Sequence, residues 1–356
     1  MRNKRQLSGR VPADDSLSDF YPWMCTSAKG ARHSNKRVGK NEESLVAKMR
    51  DEKGITFKYV TEEKAQAYLT DINNYLRTVA YRQNYSKYTR GVNTGKYINL
   101  DFTYLQEMST VDMHFRFLIN RMCLDIEQAL KVKLVKDVSN DANADAYKIV
   151  ENFLLGNSYI VKSLELRIMS PFTGDLIQKY FDVQRVYNAS KGRHEHIIQG
   201  YDDCPIWILC EVLTFGEFLR LYDFYYGNTA AVSGAILGLV RCLRNGSAHN
   251  NCLLANLSHG TSKPPREIKD YVKKMGSITT SQRQKKLSCR TMLEFVALVY
   301  TYELVVTPKV KLHRSEELYN LFFKRMVEKK GFFKDNDLIK TNYEFAGKVI
   351  RESLCK

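Results

Sequence analysis

At 356 residues the chain is long enough for two or three domains and a sizeable core, and its 44% hydrophobic and 26% charged content is that of a globular protein. Its charge is less ordinary: 55 Lys and Arg against 39 Asp and Glu give +16 and a pI near 9.3, which points to a polyanionic partner, with nucleic acid first. The N-terminus carries no apolar core of a signal peptide and no apolar run reaches about 18 residues, so a cytoplasmic protein without a membrane partner is expected.

In chain order, residues 1–45 read as a basic, partly disordered arm. Residues 1–40 hold nine Lys and Arg against three acids, with weak periodicity. A solvated tail with no role is the alternative. Residues 46–110 read as an N-terminal helical extension. Within it, 62–82 place Ala65, Tyr68, Leu69, Ile72, Tyr75, Leu76, Val79 and Ala80 at three/four spacing, which predicts one helix. Residues 83–97 read as a loop in which tyrosines alternate with cations. Arg82 and Lys87 there are candidate RNA contacts, because aromatics among cations can stack bases. A further helix is expected over 101–109.

The longest helical signal runs over 111–138, with Phe115, Leu118, Ile119, Met122, Ile126, Leu130, Leu134 and Val135 on one face. It fits a bundle core better than a heptad dimer, because the pattern does not persist for several heptads. Helices are expected over 146–155 and 175–188, separated by an ambiguous stretch with the breakers Pro171 and Gly174. Residues 190–203 read as a polar loop. Its His194-Glu195-His196 triplet could bind a metal, but no further ligand is implied, and an exposed loop is the plainer reading.

Residues 205–226 predict one strong helix beginning after Pro205, with Trp207 in the core. Glu211 in this helix, and Glu127 upstream, are acids in apolar surroundings. They read as buried partners of Arg116 or Arg241 rather than as catalysts. An apolar helix over 231–243 then leads into Leu243-Arg244-Asn245-Gly246-Ser247-Ala248-His249-Asn250-Asn251. Residues 257–356 read as a basic C-terminal helical region with helices over 291–305, 314–329 and 336–352. Its segment 261–290 holds nine cations against two acids. Lys263, Arg266, Lys269, Lys273, Lys274, Arg283, Lys285, Lys286 and Arg290 are candidate RNA contacts. The eight cysteines form no Cys-x-x-Cys pair and no zinc-like set with histidine. Reduced thiols are expected, with no metal and no cofactor.

The Arg244-Asn245…His249 stretch carries the chemistry. Cleaving RNA without a metal needs one group to take the 2′-OH proton, one to protonate the leaving 5′-oxygen and a cation to stabilise the phosphorane. His249 suits the proton transfer, Arg244 the phosphate, and Asn245 could orient the imidazole or hold a phosphate oxygen. Residues 245 and 249 are helical neighbours, and Arg244 reaches the same cleft as His249 if the helix ends or bends near Gly246. One histidine is thin equipment for an acid and a base, so two copies of the motif, in a homodimer, are expected. A helix end with a surface arginine and a capping histidine is the competing reading.

These surroundings resemble the HEPN superfamily, specifically bacterial abortive-infection proteins of the AbiD/AbiF type. The resemblance rests on RNGSAHNNCLLAN from Arg244, on Pro205-Ile206-Trp207 with Glu211 and Thr214-Phe215-Gly216, and on Asp112 with Arg116 followed by Ile126-Glu127. More loosely, it rests on Asn74-Tyr75-Leu76-Arg77 with Tyr81. It spans roughly 62–256. Asn250 and Cys252 stand where many relatives carry a second histidine and an arginine. The resemblance implies an all-α fold with a HEPN-type helical bundle over 111–256, and Asp112, Arg116, Glu127, Trp207 and Glu211 in supporting positions. It also implies a metal-independent, toxin-like endoribonuclease of phage defence, built as a homodimer with Arg244, Asn245 and His249 at the site. A partner non-coding RNA would sit on the basic segments. The alternative is a non-catalytic RNA-binding protein that grips phosphate with the same motif.

Overall fold

A computed structural model describes residues 42–201 and 203–354. The basic arm therefore lies almost wholly outside the described residues, as do Cys25 and Cys355. The described residues form one compact unit.

Its frame is a group of helices around a central one, Arg290–Val305. Short helices α1 (Glu42–Asp51), α2 (Glu62–Ala67) and α3 (Tyr75–Ala80) precede α4, a 39-residue helix over Phe102–Asn140. Asp101 caps α4 by accepting from the Thr103 amide, and its other oxygen accepts from the Lys58 amide and the Thr56 hydroxyl. The helices expected over 101–109 and 111–138 are thus one, with the predicted apolar face buried except at half-buried Val135.

Two expected helices divide. The 62–82 stripe breaks at Asn73: a π-helical turn Tyr68–Ile72 ends there, and the Asn74 side chain caps α3 by accepting from the Arg77 amide. The break turns Ile72 and Leu76 out to 75% and 77% exposure, off the stripe that one helix would have buried. Residues 205–226 split into α8 (Ile206–Val212) and α9 (Phe215–Tyr226). The cause is a capping box: Thr214 Oγ1 accepts from the Glu217 amide while Glu217 accepts from the Thr214 amide, and Arg167 binds Glu217 at 2.8 Å.

Between α4 and α8 lie α5 (Ala146–Leu155), α6 (Ser158–Glu165), α7 (Gly174–Tyr180) and an antiparallel hairpin of β1 (Asp182–Asn188) and β2 (Arg193–Gly200). The helix expected over 175–188 therefore stops at Tyr180, and the loop expected over 190–203 is largely a strand. Val183, Val186 and Tyr187 mimic a helical spacing. Instead they pair with 194–198 across a turn in which Gly192 takes φ 62, a conformation that glycine adopts without penalty. His194 and His196 share one face of β2. Glu195 points to the other, where Lys191, Asn188 and Arg193 hold it.

The second half runs through α10 (Gly234–Ala248), α11 (Arg266–Lys273), α12 (Thr280–Ser288), α13 (Arg290–Val305), α14 (Pro308–Tyr319, prolonged by a π-helical segment Asn320–Arg325) and α15 (Asp337–Ser353). α13 is buried nearly all round, from Met292 to Tyr302, as a central bundle helix must be. α10 packs against α13 and α4, and α15 packs against α13. The fold is mostly helical, as expected, with the hairpin as its one named sheet among the described residues. No helix there is long and apolar enough to cross a membrane.

Candidate active site

α10 delivers the motif. Ile236, Leu237, Val240 and Leu243 bury its inner face, and the chain leaves the helix through a Schellman turn. The Asn250 amide donates to Ser247 O (3.1 Å) and the Asn251 amide to Gly246 O (2.8 Å), with Asn250 at φ 59 in the left-handed region. Asparagine tolerates that conformation better than other residues with a side chain. Gly246 lets the returning chain close on the helix: a Cβ there would stand 2.9 Å from Leu253 Cδ2.

The helix thus runs on to Ala248, two residues past Gly246, and His249 is its C-cap with an exposed imidazole. Arg244 and His249 are therefore separated by roughly 140° around the helix axis. No hydrogen bond joins them. Asn245 lies one turn below His249, and its Oδ1 accepts from Arg244 Nη1 at 3.4 Å. The structure brings Arg244 to Asn245, and leaves His249 facing outward on its own.

The Arg244 side chain is 30% exposed, and Glu127 of α4 stands beside it with Oε2 4.0 Å from Nη2. That is an ionic contact rather than a hydrogen bond. Arg244 Nε and Glu127 Oε2 are both buried and make no hydrogen bond. Lys131 lies 3.4 Å from the other Glu127 oxygen. Glu127 therefore partners Lys131 and Arg244, not Arg116 or Arg241. Cys123, buried one turn before Glu127, has its thiol pushed well above the usual range by burial, so it is a packing residue here rather than a nucleophile.

Arg116 belongs to a second cluster one side of the motif. Asp112, fully buried on α4, accepts from the Arg116 guanidinium, from the Tyr81 hydroxyl (2.8 Å) and, through its other oxygen, from the Leu254 amide (2.9 Å). Burial pushes the Asp112 carboxyl upward against the opposing pull of Arg116. The chain after His249 is tied down elsewhere too. Arg77 donates to Asn250 O (2.5 Å) and Oδ1 (3.3 Å). Asn84 donates to Leu254 O and accepts from the Leu257 amide, both at 2.8 Å. Thr291 donates to Leu253 O and Asn342 to Leu257 O. Arg77 and Tyr81 were visible in the sequence as a loose feature. Asn84, Thr291 and Asn342 were not, because a single polar residue on a distant element carries no spacing signal.

Trp207 and Glu211 fall outside both clusters. The buried face of α8 is Ile206, Leu209 and Cys210, which leaves Trp207 and Glu211, four residues apart, on its outer face. Trp207 is 44% exposed against the edge of Tyr147, so it is no core residue, and Glu211 is exposed rather than a buried partner.

The candidate RNA contacts divide. Lys263, Lys269, Lys273, Lys274, Lys285 and Arg266 are exposed on and around α11 and α12, where Ile268, Val272 and Leu287 face inward. Arg283 and Arg82 are half-buried, and Lys87 lies over the Tyr97 ring at 4.8 Å. Lys286 is buried, donates to Thr341 Oγ1 (2.7 Å), and burial lowers its pKa, so it serves packing and not a phosphate. Arg290 is bound to Glu294, whose carboxyl burial pushes upward. This basic surface flanks the motif loop: Thr291 reaches Leu253, and Gly260 passes so close to Ser288 O that a Cβ would come within 3.0 Å of it. No cluster of three or more His, Cys, Asp or Glu able to hold a metal occurs among the described residues.

A family described as Abi-like protein matches residues 67–255, more than half of the chain and the whole stretch from α3 through the motif loop. No curated protein and no solved structure matches the chain.

Proposed function

We propose, from the premise that this chain belongs to the Abi-like protein family and hence to the abortive-infection proteins, that it is an endoribonuclease of the HEPN type, related to AbiD/AbiF proteins, which acts on RNA as a homodimer. The observation that carries the reading is the state of Arg244. Its guanidinium is partly exposed, faced by one carboxylate at ionic distance, and short of hydrogen-bond acceptors. An arginine so held offers unused donors to a phosphate oxygen at a fixed place.

In the proposed reaction a base removes the ribose 2′-OH proton and the 2′-oxygen attacks the adjacent phosphorus. The 5′-oxygen leaves with a proton from an acid, giving a 2′,3′-cyclic phosphate and a 5′-OH. His249 fills one of those roles. Its separation from Arg244 around the helix supports a composite site, in which a second copy supplies the other histidine across a two-fold axis. Asn245 holds Arg244 or a phosphate oxygen. The exposed cations of α11 and α12 hold the flanking RNA, whether target or a bound non-coding RNA, through its backbone.

The test is cleavage of labelled RNA in EDTA by the wild type, Arg244→Ala and His249→Ala. Wild-type cleavage with cyclic-phosphate ends, reduced about 10²- to 10⁴-fold in His249→Ala, supports the reading. RNA binding by the wild type without cleavage, weakened by Arg244→Ala, transfers the motif to a phosphate-gripping, non-catalytic protein.

A further inference from the structure

A groove of about 710 Å³ opens beside the motif loop, within the range of small-molecule sites. One wall is aromatic: Phe295 and Phe322 stack at 5.8 Å and Phe115 meets both, at 5.7 and 6.2 Å. Met292 and Met326 add flexible apolar surface, and Leu254 of the motif loop closes one side. Charge is confined to the rim. Lys340 is engaged by Asp337 at 2.7 Å and Glu344 stands on the same rim. Lys330 and Lys334 are exposed and form no ion pair among the described residues. Asn342, 1% exposed, also lines the groove. Its Nδ2 is used twice and its Oδ1 is buried without a hydrogen bond, so one acceptor is left for a hydroxyl or water inside the groove.

An apolar channel under two unpaired ammonium groups is complementary to one chemistry. We propose that this groove binds a single-chain anionic amphiphile, an alkyl chain lying against Leu254, Met326 and Val327 in front of the buried Phe115, Phe295 and Phe322 cluster, with its anionic head at Lys330 and Lys334. The reading is independent of RNA cleavage. It draws on the cavity, the aromatic wall and the two unpaired lysines, not on the motif.

Calorimetric titration of the full chain with dodecanoate, below its micelle concentration, tests it. Saturable binding of about one equivalent is expected, with decanoate several-fold weaker because less chain is buried. Dodecyltrimethylammonium, with the same chain and the opposite head, is expected to bind at least tenfold more weakly. The double variant Lys330→Glu/Lys334→Glu changes only exposed side chains and is expected to weaken dodecanoate at least tenfold. Lys162→Glu/Lys179→Glu, which removes the same charge elsewhere, is expected to leave it unaltered. Val327→Trp on the lining is expected to block the chain. The proposal is overturned if dodecanoate does not saturate, if the cationic amphiphile binds equally well, or if both charge-reversed pairs weaken binding alike. The last result would mean attraction to net charge alone.

Discussion

Two ion pairs whose carboxylates share one helix, α4, differ in almost every respect that matters. Asp112 and Arg116 are buried, and the carboxylate is engaged on both oxygens: it accepts from a guanidinium, a phenol and a backbone amide that comes from the motif loop, which leaves Arg116 Nε unbonded. Glu127 and Arg244, about four turns further along α4 and across to α10, are 15% and 30% exposed and 4.0 Å apart, with buried polar atoms on both sides left unbonded. A carboxylate with both oxygens committed to three donors from three elements of the chain holds structure in place. A pair left loose next to solvent spends stability without gaining rigidity, which is the usual cost of a site that must accept something from outside. The first pair shapes the loop after His249, and the looseness of the second is what the proposed phosphate contact at Arg244 requires.

The sharpest way to break that contrast is Asp112→Ala. It strands the Arg116 charge and the Leu254 amide in the interior, and a loss of about 3–5 kcal/mol in denaturant unfolding is expected. Amides of 250–258 should lose hydrogen-exchange protection ahead of the rest. A loss under about 1 kcal/mol would show that Asp112 is not the clamp. At the second pair the expected balance reverses. Glu127→Ala should change stability by no more than about 1 kcal/mol, since Lys131 can turn to solvent. It should lower RNA cleavage roughly 10- to 100-fold by loosening Arg244, as small misplacements of catalytic groups do. Equal effects on folding and cleavage would erase the distinction between the two pairs.

A smaller change isolates the helix end itself. Asn250→Ala keeps the Arg77 bond to the backbone carbonyl but puts a residue with a Cβ and no compensating side chain at φ 59, for an expected cost of about 1–2 kcal/mol. Asn250→Gly removes the same side chain and relaxes the same backbone, so its thermal stability should sit close to wild type. If the two variants fall equally, the Asn250 side chain and not the left-handed turn supports the motif.

How far these features were legible depends on the range of the interaction. α10 and its motif could be read locally, because apolar spacing and helix-end chemistry lie in adjacent residues. The Thr214…Glu217 capping box was equally local, and was masked by the apolar residues on both sides of it. The hairpin was hidden because Val183, Val186 and Tyr187 suit either period, and only pairing with residues beyond Gly192 decides between them. Arg244, Asn245 and His249 were named from the sequence. Their geometry was not, since the continuation to Ala248 depends on a Schellman turn anchored by Arg77, Asn84 and Asp112 from other elements. Lys286 shows the same limit: in a run of cations nothing local marks the one that turns inward to Thr341.

A third ion pair completes the series at the exposed extreme and has the smallest expected effect. On the hairpin, Lys191 donates to Glu195 at 2.9 Å, with Asn188 beside it, and these bonds hold the Glu195 carboxyl down to about 2 against an ordinary 4.5. A carboxyl depressed on folding contributes stability above its unfolded value and loses it as pH falls through its folded one. Whatever Glu195 adds is therefore complete above about pH 4.5 and gone by about pH 2. Because its cationic partners Lys191 and Arg193 are more than half exposed on a surface hairpin, the amount is screened and small. Carbon-detected titration of Glu195 should give a midpoint near 2 that rises toward 4.5 in Lys191→Ala. Glu195→Gln should leave the global unfolding midpoint at neutral pH within error of wild type. If that substitution instead lowered stability as Asp112→Ala does, burial would not be what separates a clamp from a surface contact, and the division between the two pairs would lose its physical basis.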